Sequence, residues 1–166
     1  MKKYKTGIFI GKFFPFHNGH LKCLIELNKL CDTVYLILYY DHENELNLLK
    51  EFNYNIDLRY QDIKKITENM NVKCFLYNNS KGYKFPDDFL LIKSAIFKLI
   101  NVKEIDLQII GANEEAIYSK YIYANKYIVL KRNKVHENEL SATIIRKDFE
   151  KYKMHLPNVI LNRFDK

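Results

Sequence analysis

The chain has 166 residues, with no tryptophan, three cysteines, three prolines and five glycines. The odd cysteine count, without a CxxC pair, argues against a disulfide framework and against a structural zinc site. No apolar run approaches the roughly 20 residues that cross a bilayer. The basic start, Met1–Lys3, is not followed by the apolar segment of a signal peptide. We therefore expect a cytoplasmic protein that does not contact the membrane.

Acidic residues are fewer than basic ones: 20 Asp and Glu stand against 27 Lys and Arg, a formal net charge of +7. This excess of basic residues can be explained by solubility together with a phosphate-binding cleft, or by nucleic-acid binding. Clustering rather than total charge makes a nucleic-acid patch, and the basic residues are spread along the whole chain. We therefore do not expect nucleic acid as a partner. A hydrophobic content of 48% excludes a disordered linker protein.

Short apolar runs alternate with helical patterns along the chain. Strands are predicted over Lys5–Ile10, Val34–Tyr39, Val72–Tyr77, Ile105–Ile110 and Tyr127–Leu130. Helices are predicted from Gly19 to Cys31 and over Asp57–Met70, Asp87–Ile100, Glu114–Ala124 and Ala142–Lys151, with polar loops over Asp41–Asn55, Asn78–Pro86 and Val135–Glu139. Continuous apolar strands separated by helices are typical of a parallel sheet covered on both faces.

We therefore predict an α/β fold, a Rossmann-like doubly wound parallel sheet of five strands with helices on both faces. One domain is expected over residues 1–166, with a core at about 5–150 and a C-terminal tail at 151–166 that Pro157 breaks. In such sheets ligands bind outside the carboxyl ends of the strands. The segments after the predicted strands are therefore where a site is expected.

The segment after the first strand, Gly11–His20 (GKFFPFHNGH), carries the strongest site signal. His17 and His20 are three residues apart, so they can meet on one face of a first helical turn. The N–H groups of a helix N-terminus favour anions, and Lys12 adds positive charge. The segment predicts a polyphosphate site. A metal site lacking an evident third ligand, or ordinary surface histidines, remain as alternatives.

Two motifs here resemble those of a known superfamily. His17–His20 (HNGH) resembles the HxGH signature of the nucleotidyltransferases. Leu140–Arg146 (LSATIIR) resembles their second signature, ISSTxxR, with Leu for the first Ile and Ala for the second Ser. The resemblance covers residues 5–150. It is greatest to the nicotinamide mononucleotide (NMN) adenylyltransferase domain of bacterial bifunctional NMN adenylyltransferase/ribosylnicotinamide kinase proteins, through Gly11–Pro15 and the acidic segment Glu114–Tyr121 as well.

The resemblance implies adenylyl transfer from ATP to NMN, giving NAD and pyrophosphate. It implies that four residues are catalytic, namely Lys12, His17, His20 and Arg146. It implies ATP contacts from Gly11, Phe13, Phe14, Gly19, Gly111, Ser141 and Thr143, with Ser141 also expected to cap its helix. Mg²⁺ would be held through the ATP phosphates, so no metal ligands are expected from protein side chains.

The acceptor site is predicted from weaker correspondences, which give Asp41, Arg59, Tyr83, Phe85 and Phe89. Relatives that bind NMN commonly stack the nicotinamide ring on aromatic side chains, often tryptophan, which this chain lacks. Tyr83, Phe85 and Phe89 could supply the aromatic face instead, although Phe89 also fits the core side of its helix.

Two other functions stay open. One keeps the motifs and changes the substrates, to a cytidylyltransferase or to an adenylyltransferase for another phosphorylated acceptor such as phosphopantetheine. The other is a nucleotide-sensing or nucleic-acid-binding module. The presence of His17, His20 and Arg146 together favours an enzyme. The sequence leaves the oligomeric state open, a homo-oligomer included.

Overall fold

The computed structural model describes residues 1–42, 45, 52–131, 134–135 and 138–164. The main strands are β1 (Tyr4–Gly11), β2 (Cys31–Tyr40), β3 (Val72–Asn78), β4 (Leu107–Gly111) and β5 (Lys126–Leu130). They form one five-stranded sheet in the order β3-β2-β1-β4-β5, and every neighbouring pair is parallel. The chain proceeds outward from β1 to β3 and then crosses back to β4, so the strand order reverses between β1 and β4. The predicted fold class is confirmed.

The helices are α1 (Asn18–Leu30), α2 (Ile56–Ile66), α3 (Phe89–Ile100), α4 (Glu115–Tyr118), α5 (Ala142–Lys147), α6 (Phe149–Tyr152) and α7 (Asn158–Phe164). Short 3₁₀ turns span Ala112–Glu114 and Lys153–His155. The polar loop predicted over 135–139 instead contains a small antiparallel pair, β6 (Lys134–Val135) with β7 (Asn138–Glu139). The loop predicted over 41–55 lies mostly outside the described residues.

Successive residues of the central strands enter two separate hydrophobic clusters, as the two-residue period of a strand requires. Phe9 and Leu36 pack with buried residues of α1, α2, α5 and α7. Ile8 and Ile37 pack on the opposite side with buried residues of α3. Helices therefore cover both faces of the sheet.

The predicted helix over 114–124 is wrong beyond Tyr118. The backbone after Tyr118 is not helical, because the N–H groups of Tyr123 and Asn125 form hydrogen bonds to distant parts of the chain instead of to the preceding helical turn. The N–H of Tyr123 donates to the side-chain oxygen of Gln108 at 2.8 Å, and the N–H of Asn125 donates to the Ile105 carbonyl at 2.8 Å. These bonds attach the segment to Gln108 of β4 and to Ile105 just before that strand, and a local helical pattern cannot show them.

The chain after α5 also departs from the prediction. Asp148 takes a non-helical backbone conformation and divides the predicted helix, and its side chain caps α6. The predicted tail contains α7, which starts directly after Pro157 and buries Ile160 completely. Arg163 of α7 donates to the Asp62 carboxylate of α2 at 2.6 Å. Residues 153–164 are therefore part of the packed structure.

Asp106 joins β1 to the start of β4 at the sheet edge opposite the loops that follow the strands. Its Oδ2 accepts hydrogen bonds from the N–H of Thr6 (2.9 Å), the Thr6 hydroxyl (3.1 Å) and the N–H of Lys5 (3.0 Å). These bonds, the one from the Thr6 N–H foremost, hold the pKa of Asp106 below its usual value of 3.8. The carboxylate is thus favoured in the folded state.

Replacing Asp106 with asparagine is expected to lower the free energy of unfolding at pH 7 by about 1–2 kcal/mol, since an ionised acceptor is lost. A pKa depressed by folding contributes stability above 3.8 that is lost as the pH falls through the folded value. The difference between wild type and variant should therefore shrink below pH 4 (roughly the unfolded pKa). Urea unfolding at pH 7 and at acid pH measures it. A difference that is constant with pH would contradict this account.

Candidate active site

A cleft of about 870 Å³ opens at the carboxyl ends of the strands, where the fold predicts a ligand. The predicted site residues that line it are Gly11, Lys12, Phe13, Phe14, His20, Asp41, Tyr83, Phe85, Ser141, Thr143 and Arg146. The predicted residues absent from its lining are His17, Gly19, Arg59, Phe89 and Gly111. Residues of both sequence signatures, His20 from the first and Ser141, Thr143 and Arg146 from the second, thus line one cavity, although the signatures are more than a hundred residues apart in the chain.

The two histidines stack at the start of α1, with ring centroids 3.6 Å apart. The N–H of His17 donates to Nδ1 of His20 at 3.3 Å, and the N–H of Gly19 donates to Nδ1 of His17 at 3.1 Å. Together these bonds cap the helix N-terminus. Because Nδ1 of His20 accepts a hydrogen bond, the proton of its neutral ring is on Nε2. In the neutral form, the N–H of His20 is therefore on the ring nitrogen that does not contact the His17 backbone.

His17 does not have the predicted position. Its side chain is fully buried, and it lies behind His20 instead of lining the cleft. It is the N-cap residue, with extended backbone angles, so its ring turns back to the helix N–H groups. Direct contact of His17 with a triphosphate is therefore not supported, and its position corresponds to holding His20.

The loop between β1 and α1 is held by the ring of Phe13. This residue has a left-handed backbone (φ 48°), which for a bulky side chain costs about 1–3 kcal/mol. Its buried ring packs edge-on against Phe16 and His20, with centroids 5.2 and 5.0 Å away. A Cβ added at Gly11 would lie 2.6 Å from a carbon of that ring. Gly11 is required here because the Phe13 ring packs directly against its backbone.

The second signature is anchored to this loop. The guanidinium of Arg146 donates to the Phe14 carbonyl and, at 3.2 Å, to the Thr143 hydroxyl. It lies 5.8 Å from the centroid of the Phe14 ring. The Ser141 hydroxyl accepts a hydrogen bond from the N–H of Ile144 at 3.2 Å, which confirms the predicted helix cap. Lys12 and Arg146 therefore line the same cleft from opposite ends of the chain.

Arg59 lies beneath the loop instead of at the acceptor site. Its side chain is completely buried and forms an ion pair with the buried carboxylate of Glu45. It also donates to the Lys12 carbonyl at 2.9 Å and stacks 4.6 Å from the centroid of the Phe14 ring. Arg59 is therefore not among the residues that line the cleft, and its side chain has no exposed surface with which to contact a ligand there.

Aromatic rings line the far end of the cleft, and we call this set the aromatic wall: Tyr39, Tyr83, Phe85, Tyr118 and Tyr123. Phe85 and Tyr118 are stacked, with centroids 5.4 Å apart and planes inclined by 29°. Burial raises the pKa of Tyr39 to about 12, and the neighbouring Tyr77 and Asp41 add to this rise. Burial also raises the pKa of Tyr123. At neutral pH both phenols are uncharged and can donate hydrogen bonds.

Sequence reasoning found two members of the aromatic wall and missed three. Tyr83 and Phe85 were predicted, whereas Tyr39, Tyr118 and Tyr123 were not. Tyr39 is the last residue of a predicted strand, at the end where ligands bind, so its position alone could have indicated it. Phe89 was predicted and lies behind the wall, almost fully buried against Tyr123 with ring centroids 5.0 Å apart.

Neither a metal cluster nor a membrane-spanning segment is found in the described part of the chain. Within residues 1–42, 45, 52–131, 134–135 and 138–164, no group of three or more His, Cys, Asp or Glu could hold a metal ion. No helix formed by these residues is long and apolar enough to cross a membrane. The cleft-lining carboxylates include Asp41 and Glu114.

The reversed strand order, the cleft at the strand ends and the two joined signatures define a nucleotidyltransferase. The sequence matches the cytidylyltransferase-like family over residues 8–148, and the chain belongs to this family. The predicted membership of the HxGH nucleotidyltransferase superfamily is thereby confirmed.

Curated relatives and solved structures differ in the substrates named for them. The phosphopantetheine adenylyltransferase of Mycoplasma mycoides subsp. mycoides SC is 26% identical over 155 residues, which cover 90% of this chain and 99% of the relative. The phosphopantetheine adenylyltransferase of Malacoplasma penetrans is 28% identical over 108 residues, 63% of this chain and 64% of the relative.

Among solved structures, the NadR protein in complex with NR has a TM-score of 0.69 at 22% identity, covering 96% of this chain. The NadR protein in complex with NAD and AMP-PNP has a TM-score of 0.67 at 24% identity, covering 95% of this chain. These identities show the fold alone. The chain spans 44% and 46% of the lengths of the two solved chains.

Proposed function

We propose that the chain transfers the adenylyl group of ATP to NMN, giving NAD and pyrophosphate. The observation that carries this proposal is the aromatic wall, which shares the cleft with His20, Lys12 and Arg146. Planar rings stack favourably on aromatic side chains, and neutral phenols can bind the amide of nicotinamide. The NadR structures, one with NR and one with NAD and AMP-PNP, support the choice of a nicotinamide acceptor.

In this reaction a phosphate oxygen of the acceptor attacks the α-phosphorus of ATP, and pyrophosphate leaves. The chemistry needs no protein nucleophile, so positioning and electrostatic stabilisation supply the catalysis. Nε2–H of His20, the Lys12 ammonium and the Arg146 guanidinium are the cleft-lining groups that would oppose the charge on the phosphates. Ser141 and Thr143 would hold the β- and γ-phosphates. Mg²⁺ bound through the ATP oxygens would neutralise part of the remaining charge.

A second candidate acceptor is phosphopantetheine. The observation that favours it is the similarity to the Mycoplasma mycoides phosphopantetheine adenylyltransferase, which extends over 99% of that protein. Phosphopantetheine is a linear molecule with amide bonds and no ring. It would therefore depend much less on stacking against Phe85 and Tyr118 than NMN would.

A pyrophosphate-release assay tests the proposal, with ATP or CTP and Mg²⁺ paired with NMN, nicotinic acid mononucleotide or phosphopantetheine. We expect turnover with ATP and NMN. Phe85→Leu should raise the KM for NMN by about 2–10-fold with kcat little changed, since it removes a stacking ring of about 0.5–1.5 kcal/mol. Phe97→Leu, in α3 and outside the cleft lining, is the control. Turnover with phosphopantetheine alone, or a Phe85→Leu variant that binds NMN normally, would refute the assignment.

A further inference from the structure

Two buried charged side chains have no part in the reaction as written above. Arg59 of α2 is 0% exposed at its side chain and Glu45 is 1% exposed, and they form an ion pair. Breaking such a pair is costly, yet its net contribution is often no greater than that of well-packed apolar residues. Stability alone therefore does not account for an arginine at this place.

What an arginine does here, and an apolar residue cannot, is to make several directed contacts from one planar group. One guanidinium nitrogen of Arg59 donates to the Lys12 carbonyl at 2.9 Å, and the group as a whole stacks 4.6 Å from the Phe14 ring centroid. Glu45 accepts from the same guanidinium and fixes its orientation. Both loop contacts are made to residues that line the cleft.

Phe14 is also the residue that Arg146 holds. Arg146 donates to the Phe14 carbonyl and lies 5.8 Å from its ring centroid. The backbone of Lys12, the ring of Phe14 and the guanidinium of Arg146 are thus connected. Arg59 supports this connection, and its partner Glu45 also lines the cleft. Phe13, whose backbone is strained, lies between Lys12 and Phe14. The loop conformation therefore depends on stabilising contacts from residues outside the loop.

We propose that Arg59 and Glu45 are positioning residues, which fix the Lys12–Phe14 loop so that Lys12 and Arg146 are arranged for a triphosphate. The inference rests on ATP as the nucleotide of the proposed function, and it does not depend on which acceptor is used. It predicts that Arg59 contributes to the binding of the β- and γ-phosphates and not to the binding of adenosine or the α-phosphate.

Calorimetric titration with AMP-PNP and with AMP tests this on the full chain. Arg59→Lys keeps the charge and removes the planar fork. We expect the affinity for AMP-PNP to fall about tenfold while that for AMP stays within about twofold, because only the phosphate-positioning contacts are disturbed. Arg163→Lys is the matched control: it alters another arginine–carboxylate pair, with Asp62, away from the cleft. It should leave the AMP-PNP to AMP affinity ratio unchanged.

A second variant covers the case in which Arg59→Lys does not fold. The double variant Arg59→Gln/Glu45→Gln leaves no unpaired buried charge, and we expect it to fold with the same loss in the affinity ratio. A folded variant with an unchanged ratio, or an equal loss for AMP and AMP-PNP, would overturn the positioning role. If the wild type bound AMP-PNP no better than AMP, the use of ATP and this inference would both be refuted. Absence of turnover with NMN in a protein that shows the expected ratios would refute only the acceptor.

Discussion

Replacing His20 with alanine is expected to lower kcat for nucleotidyl transfer by about 10²–10³-fold, the loss typical of one well-placed donor to developing charge. His20 lines the cleft, and its Nδ1 accepts the N–H of His17, so Nε2–H is the donor that a phosphate would meet. Its ring contacts the rings of Phe9, Phe13, Phe16 and His17. A donor fixed before the substrate binds does not need to reorganise during the reaction.

The measurement is steady-state kinetics with ATP and the acceptor that turns over, together with thermal unfolding of each variant. His155→Ala is the matched control, because His155 lies in the 3₁₀ turn before α7 and does not line the cleft. It should retain wild-type kcat. If His20→Ala folded normally and kept kcat within about threefold of wild type, His20 would not be a catalytic residue.

The fold could be predicted from the sequence because each strand coincides with a short run of apolar residues. The run from Val34 to Tyr39 needs burial on both faces, and the structure buries Leu36 in the hydrophobic cluster on one face of the sheet and Ile37 in the cluster on the other. Ser141 was recognisable as a helix cap for a similar reason, since both its side chain and its hydrogen-bond partner lie within four residues. Structural features that depend only on residues close together in the chain can be predicted from the sequence.

The structure differs from the sequence-based expectation where the conformation or burial of a residue is determined by residues distant from it in the chain. Arg59 is in a polar stretch of sequence, and arginine is usually exposed. Its burial depends on Glu45, Lys12 and Phe14, none of which is near it in the helix. Similarly, the helical pattern beyond Tyr118 ends because Tyr123 bonds to Gln108. These contacts depend on how α2 and β4 pack, which local patterns do not contain.

His17 shows a third kind of difference. The spacing of three residues places two helical side chains on one face, which led to both histidines being predicted as phosphate contacts. His17 is the N-cap, with φ −130° and ψ 171°, so the helical rule does not apply to it. Its ring instead accepts the N–H of Gly19 and stacks beneath His20. The different positions of the two histidines follow from the backbone angles of His17, which the sequence does not show.

The second large effect is expected for Arg146. Arg146→Ala should lower kcat/KM for ATP by about 10²–10³-fold, because one guanidinium both lines the cleft and holds the loop through the Phe14 carbonyl. Arg146→Lys keeps the charge but cannot bond to the Phe14 carbonyl and the Thr143 hydroxyl with one planar group. It should still lose about tenfold. Steady-state kinetics with varied ATP measures both variants.

Lys147→Ala is the control for these variants, because Lys147 is the exposed next residue of the same helix and does not line the cleft. Its kcat/KM should equal that of the wild type. The free energy of unfolding should change by less than about 1.5 kcal/mol in Arg146→Ala, since the Phe14 carbonyl loses one bond near solvent. A fully active Arg146→Ala variant would show that Arg146 has no part in the reaction. A variant that lost activity only in proportion to its unfolded fraction would show that Arg146 supports the fold alone.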